Sequence, residues 1–180
     1  RVLSLVHHEP RLADKEGVHS AGGVPLEDVL SAVDSLCEQS SVEEGREAAP
    51  GVGVVGEGQG AHFVMQAIAC SRRFAVAVAC SGYVCPKMHQ SECGELPSLP
   101  PLALRSTPTD LPLIDALGAI NTPLFLIHGE RDECCSSAHS KLVYHTLRRN
   151  DVPTQLALYA DEAHTFSRAE SLRDATERTL

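Results

Sequence analysis

The sequence predicts an α/β fold, a partial doubly wound and mostly parallel sheet with helices on both faces. Two segments, Phe74–Cys80 and residues 124–128, are almost continuously apolar, as is typical of strands buried on both faces of a parallel sheet. Helical and strand-like patterns alternate along the chain, which favours parallel strands joined by crossover helices. The length of 180 residues suits one domain with a sizeable core.

The N-terminal part of the chain predicts a strand, a loop and a helix. Residues 2–6 suit a short buried strand, and the polar, glycine-punctuated residues 7–22 predict a loop. Pro25 suits the first turn of a helix. Apolar residues at helical spacing then form one stripe, which consists of Leu26, Val29, Leu30, Val33, Leu36 and Cys37. Residues 38–50 predict a polar surface linker.

The rest of the chain continues the alternation. A strand at 52–55 ends in closely spaced glycines, and an apolar helix is predicted at 61–70. The strand Phe74–Cys80 precedes a proline-rich irregular insertion at 81–110, and long insertions in compact domains are usually functional or mobile. The pattern then predicts a short helix at 111–117, a strand at 122–129, a helix at 137–149, the strand Thr154–Tyr159 and a final helix from Ser167.

The turn after strand 52–55 has the spacing of a nucleophile elbow. This motif, G-x-S-x-G, presents a nucleophile on a strained strand-to-helix turn of an α/β-hydrolase, and its glycines remove Cβ atoms where the two backbones nearly touch. Gly56 and Gly60 supply the frame, but Gly58 occupies the middle position. The backbone N–H of Gln59 is placed to be one oxyanion-hole donor that contacts substrate. We therefore predict that the turn is present and the nucleophile is missing.

An acid and a base follow the elbow in the order that α/β-hydrolases use. Asp132 comes just after the strand at 124–128, and His164 comes just after Thr154–Tyr159. Because the carboxyl ends of parallel strands meet at one edge of the sheet, we expect both side chains near the elbow. A neutral imidazole can accept the nucleophile's proton while a carboxylate orients it. Asp132 and His164 suit these two roles, and the predicted fold is accordingly an α/β-hydrolase.

At these residues the sequence resembles the catalytic domain of the prolyl oligopeptidase family of serine peptidases, and within it the acylaminoacyl-peptidase branch. The resemblance covers most of the chain and is poorest at residues 81–110. Its segments are residues 24–29 (VPLEDV), 32–33 (AV), the elbow strand, 121–124 (NTPL) as far as Asp132, 148–153 (RRNDVP), and 156–159 (LALY) as far as His164.

The resemblance implies a function, a substrate and a larger architecture. The family's triad falls on Gly58, Asp132 and His164, its substrates are peptides or N-acylated peptides, and it uses no metal or organic cofactor. The first strands of the hydrolase fold, the loop with the second oxyanion donor and the family's N-terminal β-propeller would all lie before Arg1. With Arg1 opening directly on a strand-like run, we expect a segment of a longer protein. A second copy of the chain is the other expected protein partner.

Composition disfavours several other classes of function. The formal net charge of −9 argues against binding to nucleic-acid phosphates, and no apolar run approaches the roughly 20 residues that span a bilayer. We therefore expect neither nucleic acid nor a membrane as a partner. Seven cysteines form an odd number without a regular framework, which favours a reducing compartment and a cytoplasmic location.

Two other kinds of site, a dinucleotide-binding site and a zinc site, can be tested against the sequence. The glycines also fit a dinucleotide-binding fingerprint, but the next strand ends in Cys80-Ser81 without the acid that would hold a ribose. Cys80, Cys85, His89 and Cys93 do not have the spacing of a common structural zinc site. We therefore expect no cofactor and no bound metal.

The remaining cysteines and histidines near the elbow and the acid receive no chemical role. Cys134 and Cys135 follow Asp132 and are interpreted as packing residues, because adjacent cysteines seldom bridge each other. His62 and His128 are predicted to lie in the core, and the other histidines outside position 164 are given no role either.

The functional prediction is a serine peptidase or acyl-peptide hydrolase-type domain that is inactive as written. Without a nucleophile we expect no measurable peptidase or esterase turnover, and no substitute nucleophile is expected from Ser71 or Ser81, which lie on other elements. The alternative is a non-catalytic pseudoenzyme that binds peptides or partner proteins.

Overall fold

A computed structural model of the chain describes residues 2–4, 26–27, 29–35, 51–85, 88 and 113–179. The predictions for loop 7–22, linker 38–50 and most of the insertion 81–110 lie outside these residues, as do Leu36, Cys37, His89 and Cys93. Among the helices that the structure describes, none is both long and apolar enough to cross a membrane.

Five parallel strands form one sheet in the order in which they occur along the chain. They are β1 (Val2–Ser4), β2 (Val52–Glu57), β3 (Phe74–Cys80), β4 (Leu124–Gly129) and β5 (Thr154–Tyr159). The predicted bounds of β3 and β5 are confirmed to the residue. Because all five strands run in the same direction, the segments that follow β2, β3, β4 and β5 begin at one edge of the sheet.

The described residues include five helices beside the sheet. They are α1 (residues 26–27 and 29–35), α2 (Gln59–Cys70), α3 (Leu113–Ala116, continued by a 3₁₀ turn at Leu117–Ala119), α4 (Ala138–Arg149) and α5 (Ala169–Thr179). The helix α2 begins directly after Gly58, two residues before its predicted start at residue 61. α2, α3 and α4 form one layer, because the 3₁₀ turn contacts both α2 and α4.

Helices lie on both faces of the sheet, as predicted. Leu156 of β5 packs against the main apolar core that α2 and α4 share. Side chains alternate between the two faces of a strand, so Tyr159 lies on the opposite face from Leu156. The Tyr159 hydroxyl donates to the Asp174 carboxylate of α5, with 2.6 Å between the oxygens. α5 therefore packs on the face opposite the main core.

The strand β3 departs from its predicted burial at two positions. Ala75 and Val76 are exposed, with Val76 46% exposed, whereas the three residues after them are buried. The β2–β3 pairing steps from Val52↔Phe74 to Gly53↔Val76, so Ala75 is an extra residue on β3. Such a bulge shifts the alternation of side chains. The prediction of burial on both faces is therefore wrong for Ala75 and Val76.

Gly56 allows β2 and α2 to approach each other closely at the turn. A Cβ atom at Gly56 would lie 2.3 Å from the carbonyl oxygen of Gly60 and 2.5 Å from its carbonyl carbon. Both contacts are with backbone atoms, so rotation of a side chain cannot relieve them. The prediction that the glycine frame serves close packing of strand and helix is confirmed at Gly56.

Replacing Gly56 by Ala is expected to destabilise the protein, because β2 and α2 must separate to make room for the methyl group. We expect a loss of about 1–3 kcal/mol in the free energy of unfolding, the usual cost of overpacking. Gly118→Ala is the control, since a Cβ at Gly118 has no atom of the described part of the chain within 4 Å. Urea denaturation measures both variants, and an equal effect in the two would contradict the close-packing explanation.

Candidate active site

Gly58 forms the apex of the turn between β2 and α2. Its backbone has φ 55° and ψ −117°, a left-handed conformation that favours glycine. The Gly58 N–H donates to the carbonyl of Cys80 at 2.9 Å, and the Gly58 carbonyl accepts from the His62 N–H at 3.3 Å. The apex is thereby attached to the end of β3 and to the first turn of α2.

The space above Gly58 faces the imidazole of His164. A Cβ atom built on Gly58 would lie 3.5 Å from Nε2 and 3.9 Å from Cε1 of His164, both ordinary contact distances. Apart from the two chain neighbours, it would meet no other heavy atom of the described residues within 4 Å. A small side chain therefore fits at this position and points to the imidazole.

Asp132 and His164 form a hydrogen-bonded pair beside this apex. The distance from His164 Nδ1 to Asp132 Oδ2 is 2.8 Å. The Asp132 side chain is fully buried, whereas the His164 side chain is 31% exposed. The carboxylate accepts the hydrogen on Nδ1, and this arrangement directs Nε2 towards Gly58. The structure thus brings together the three positions that the sequence predicted as a triad.

The Asp132 carboxylate accepts hydrogen bonds on both oxygens. Oδ1 accepts from the backbone N–H groups of Cys134 at 2.9 Å and Cys135 at 2.7 Å. Oδ2 faces Nε2 of His128 at 3.2 Å in addition to His164. Burial alone would raise the pKa of Asp132, but the hydrogen bonds from His128, His164 and Cys135 outweigh it and hold that pKa far below its ordinary value. The carboxylate is therefore ionised in the folded protein.

Backbone contacts join the loop that carries Asp132 to the loop that carries His164. The Arg131 N–H donates to the carbonyl of Glu162 at 2.9 Å. A Cβ at Gly129 would lie 2.4 Å from the carbonyl oxygens of both Glu162 and Ala163. The two loops are consequently in backbone contact where β4 ends, which fixes the separation between the acid and the imidazole.

Glu162 shapes the loop around His164 from within. Its buried carboxylate accepts from the backbone N–H groups of Ser167 at 2.8 Å and Arg168 at 3.2 Å. The hydrogen bond from Ser167 is the main reason that the pKa of Glu162 lies below its ordinary value. Glu162 therefore holds residues 162–168 in a compact turn that ends in α5.

Ser81 also contacts the His164 loop. Its backbone has φ 49°, and its hydroxyl donates to the carbonyl oxygen of His164 at 3.3 Å. Ser81 does lie on another element, as predicted, and its hydroxyl bonds to the backbone of residue 164.

A cleft of about 550 Å³ opens beside the imidazole of His164. Its lining includes Arg131, Glu133, Cys134 and Thr165. Cys134 is exposed whereas Cys135 is fully buried. The interpretation of both cysteines as packing residues is therefore correct for Cys135 and wrong for Cys134, because consecutive residues of this turn face in different directions.

Sequence reasoning missed two residues of this site. His128 and His62 are buried as predicted, but His128 contacts the Asp132 carboxylate, a role that the sequence interpretation did not give it. Glu162 was not singled out at all. The available signals were position alone: His128 lies four residues before the acid, and Glu162 lies two residues before His164.

The rival zinc site is only partly within the described residues. Among the described residues, no group of three or more His, Cys, Asp or Glu side chains is arranged to hold a metal ion. His89 and Cys93, which the zinc alternative requires, are outside that part of the chain.

This is an α/β-hydrolase-type domain, defined by the parallel sheet, the glycine turn after β2 and the hydrogen-bonded pair of Asp132 and His164. Solved structures with this fold match most of the chain. Acylaminoacyl peptidase of Pyrococcus horikoshii has a TM-score of 0.63 and 19% identity, over 85% of this chain and 25% of that one. A puromycin-hydrolysing peptidase of Mycobacterium tuberculosis has a TM-score of 0.66 and 17% identity, over 84% and 23%. An esterase of Pyrococcus furiosus has a TM-score of 0.61 and 18% identity, over 86% of this chain and 58% of that one.

The chain belongs to the prolyl oligopeptidase family, whose sequence profile matches residues 14–180. It is thus a serine peptidase-type hydrolase domain. It spans about a quarter of the length of the two peptidases with which it was compared. No curated protein sequence gives a significant match.

Replacing Asp132 by Asn tests the charge at the centre of the site. The Asn side chain has an NH₂ group in place of one carboxylate oxygen, so this group faces hydrogen-bond donors that the carboxylate accepted from in the wild type. We therefore expect the free energy of unfolding to fall by about 1.5–3 kcal/mol near neutral pH. A depressed folded-state pKa means that the carboxylate stabilises fully above the ordinary Asp pKa of about 3.9 and loses this effect as the pH falls below it. The difference between wild type and variant should therefore shrink below about pH 4.

Denaturation by urea at a series of pH values measures this difference. Asp161→Asn is the matched control, because the Asp161 side chain is 45% exposed and pairs with Arg131 at the surface, where such pairs contribute about 0–1 kcal/mol. A difference for Asp132→Asn that grows as the pH falls below about 4 would contradict the assigned ionisation.

Proposed function

We propose that this chain is the catalytic-type domain of an acylaminoacyl-peptidase-like hydrolase in which Gly58 occupies the nucleophile position. In this proposal His164 is the base, Asp132 is the acid that orients it, and the Gln59 N–H is an oxyanion donor. The observation that carries it is the position of His164 Nε2, 3.5 Å from a Cβ at Gly58, while Nδ1 is bonded to Asp132.

The same geometry explains why we propose that the chain forms no acyl-enzyme. Covalent hydrolysis needs a nucleophilic oxygen or sulfur within about 2.6–3.2 Å of the base. Glycine supplies no such atom. A serine at position 58 would start from a Cβ that faces Nε2, and rotation about one bond would bring its hydroxyl to the imidazole. In this proposal the site has the base and the acid that orients it, but it lacks the atom that would attack the substrate.

Two residues near the apex, Ser81 and Cys80, do not replace the missing nucleophile. The Ser81 hydroxyl is bonded to the backbone carbonyl of His164. The carbonyl of Cys80 accepts a hydrogen bond from the Gly58 N–H. Burial, with a smaller effect of the Glu57 charge, raises the pKa of the Cys80 thiol to about 12. At neutral pH this thiol is protonated, and the thiol form is a poor nucleophile.

The second candidate function is binding of peptides or acyl peptides without cleavage. The N-terminus of α2 has neither an acidic residue in its first turn nor a side-chain cap, so no capping side chain takes up its first N–H groups. Such groups bind carbonyl or carboxylate oxygens. A peptide or acyl peptide is thus the proposed ligand. An N-terminal propeller domain, a second copy of the chain and a cytoplasmic location are further proposals that rest on the family resemblance and composition.

Replacing Gly58 by Ser tests the proposed triad directly. A fluorophosphonate probe reacts with an activated serine, so we expect no adduct on the wild-type protein and stoichiometric labelling of Gly58→Ser. The double variant Gly58→Ser/His164→Ala should lose this labelling by at least about 10³-fold, as removal of the base does in other serine hydrolases. Mass spectrometry of the intact protein measures the adduct.

Gly118→Ser is the matched control, because it adds a serine in open space away from the imidazole and should remain unlabelled. Labelling of the wild type would contradict the proposed lack of a nucleophile. If Gly58→Ser, made in a chain that includes the expected N-terminal oxyanion loop, folds with an unchanged circular dichroism spectrum and yet is not labelled, the assignment of His164 and Asp132 is wrong. Titration of the wild type with an N-acetylated dipeptide, followed by NMR, tests the binding alternative.

A further inference from the structure

His128 is a fully buried histidine at the end of β4, four residues before Asp132. Its Nδ1 lies 2.7 Å from the hydroxyl oxygen of Ser140 on α4. Its Nε2 lies 2.9 Å from the carbonyl oxygen of Cys135 and 3.2 Å from Oδ2 of Asp132. Each ring nitrogen therefore has a polar partner, and the ring joins α4 to the loop that holds the acid.

The partners of His128 determine which ring nitrogen carries hydrogen. Nε2 faces two oxygens that can only accept, the Cys135 carbonyl and the Asp132 carboxylate, so Nε2 carries a hydrogen. In the neutral ring Nδ1 is then an acceptor, and the Ser140 hydroxyl donates to it. Ser140 thus stabilises the tautomer that places a donor against Asp132.

The consequence for Asp132 concerns the oxygen that faces His164. Oδ1 is fixed by the Cys134 and Cys135 amides, whereas Oδ2 has the two imidazoles as partners. His164 is partly exposed and lies on a loop. His128 is buried on a strand, and its N–H supplies a rigid second point of attachment.

We propose that His128 is a positioning residue that holds Oδ2 of Asp132 against His164, and that Ser140 holds the His128 ring in the orientation in which it does so. The catalytic meaning of this role rests on the proposed function, but the orientation of Asp132 and His164 does not. An apolar side chain could fill the same volume without the cost of burying two polar nitrogens. The hydrogen bonds of both nitrogens, and not the volume of the ring, are thus the specific contribution of histidine.

Two amide substitutions separate the two nitrogens. The amide nitrogen of Gln can take the place of Nε2, so His128→Gln keeps a donor for Asp132 and gives up the contact with Ser140. The amide of Asn reaches only the position of Nδ1, so His128→Asn keeps a partner for Ser140 and removes the donor to Asp132. His145→Gln on the exposed side of α4 is the control for histidine loss as such.

NMR of the wild-type protein and its variants reads out the orientation without any activity. We expect a downfield resonance for the His164 Nδ1–H that is hydrogen-bonded to Asp132, present in the wild type, in His145→Gln and in His128→Gln. In His128→Asn this resonance should broaden or disappear through faster exchange with water. Urea denaturation of the same samples shows how much of any change follows stability alone.

A second readout uses the Gly58→Ser background. There we expect His128→Asn to slow fluorophosphonate labelling by about ten- to a hundredfold, and His128→Gln to restore it to within about threefold, since small misplacements of catalytic groups have effects of this size. If no Gly58→Ser protein is labelled, the proposed function fails, whereas the NMR comparison still decides the role of His128.

Ser140→Ala removes the contact at Nδ1 of His128 while the imidazole stays intact, and it tests the proposal if the His128 variants do not fold. The ¹⁵N resonance of His128 Nδ1 should shift because this nitrogen loses its hydrogen-bond donor, and the His164 Nδ1–H resonance should become weaker. The proposal is overturned if His128→Asn or Ser140→Ala leaves the His164 resonance unchanged, or if His128→Gln and His128→Asn affect it equally at matched stability.

Discussion

The buried carboxylate of Asp132 is the interaction on which the arrangement of this site depends. A buried charge costs several kcal/mol unless it is paired and hydrogen-bonded. Two backbone amides from its own turn and two imidazoles from different elements surround this one. The turn after β4 must therefore close around the carboxylate, and the loop after β5 must bring His164 to it. The backbone contacts of Gly129 with residues 162 and 163 allow both.

The elbow obeys a separate constraint that does not involve a nucleophile. The close approach of Gly56 to Gly60 and the left-handed φ of Gly58 are properties of the path from β2 into α2. A residue with a side chain in such a conformation carries strain of the order of 1–3 kcal/mol. Glycine adopts this conformation at little cost. The turn is therefore retained, and its backbone strain is lower, when position 58 is glycine. The shape of an elbow therefore does not require a serine.

These two constraints explain which features could be predicted from the sequence. β3 and β5 were predicted to the residue because apolar runs bounded by polar residues, proline or a turn mark buried strands. The apex at Gly58 was predicted because the glycine frame has a fixed spacing, and the positions of Asp132 and His164 follow from where their strands end. These are local patterns combined with one rule about parallel sheets.

Other features depend on contacts between distant elements, and the sequence pattern does not contain them. The bulge at Ala75 arises from the pairing of β2 with β3, so the exposure of Val76 was not predictable from an apolar run. His128 resembles any core histidine in the sequence, since its partners Ser140 and Cys135 are identified only once β4, α4 and the turn are in place. Glu162 is similar, because the amides that it caps belong to a later turn.

Stability and catalysis make different demands on the three triad positions. Removal of either imidazole from Oδ2 of Asp132 would leave a buried charge with fewer donors, which is among the more destabilising changes in a protein interior. Asp132 and its partners are thus held in place by folding stability, whatever the chemistry of the site. Position 58 has no such restraint, because its backbone conformation favours glycine and no neighbour needs its side chain. The pairing of Asp132 with His164 is therefore compatible with both an enzyme and a binding protein, and the atom at position 58 is what distinguishes the two.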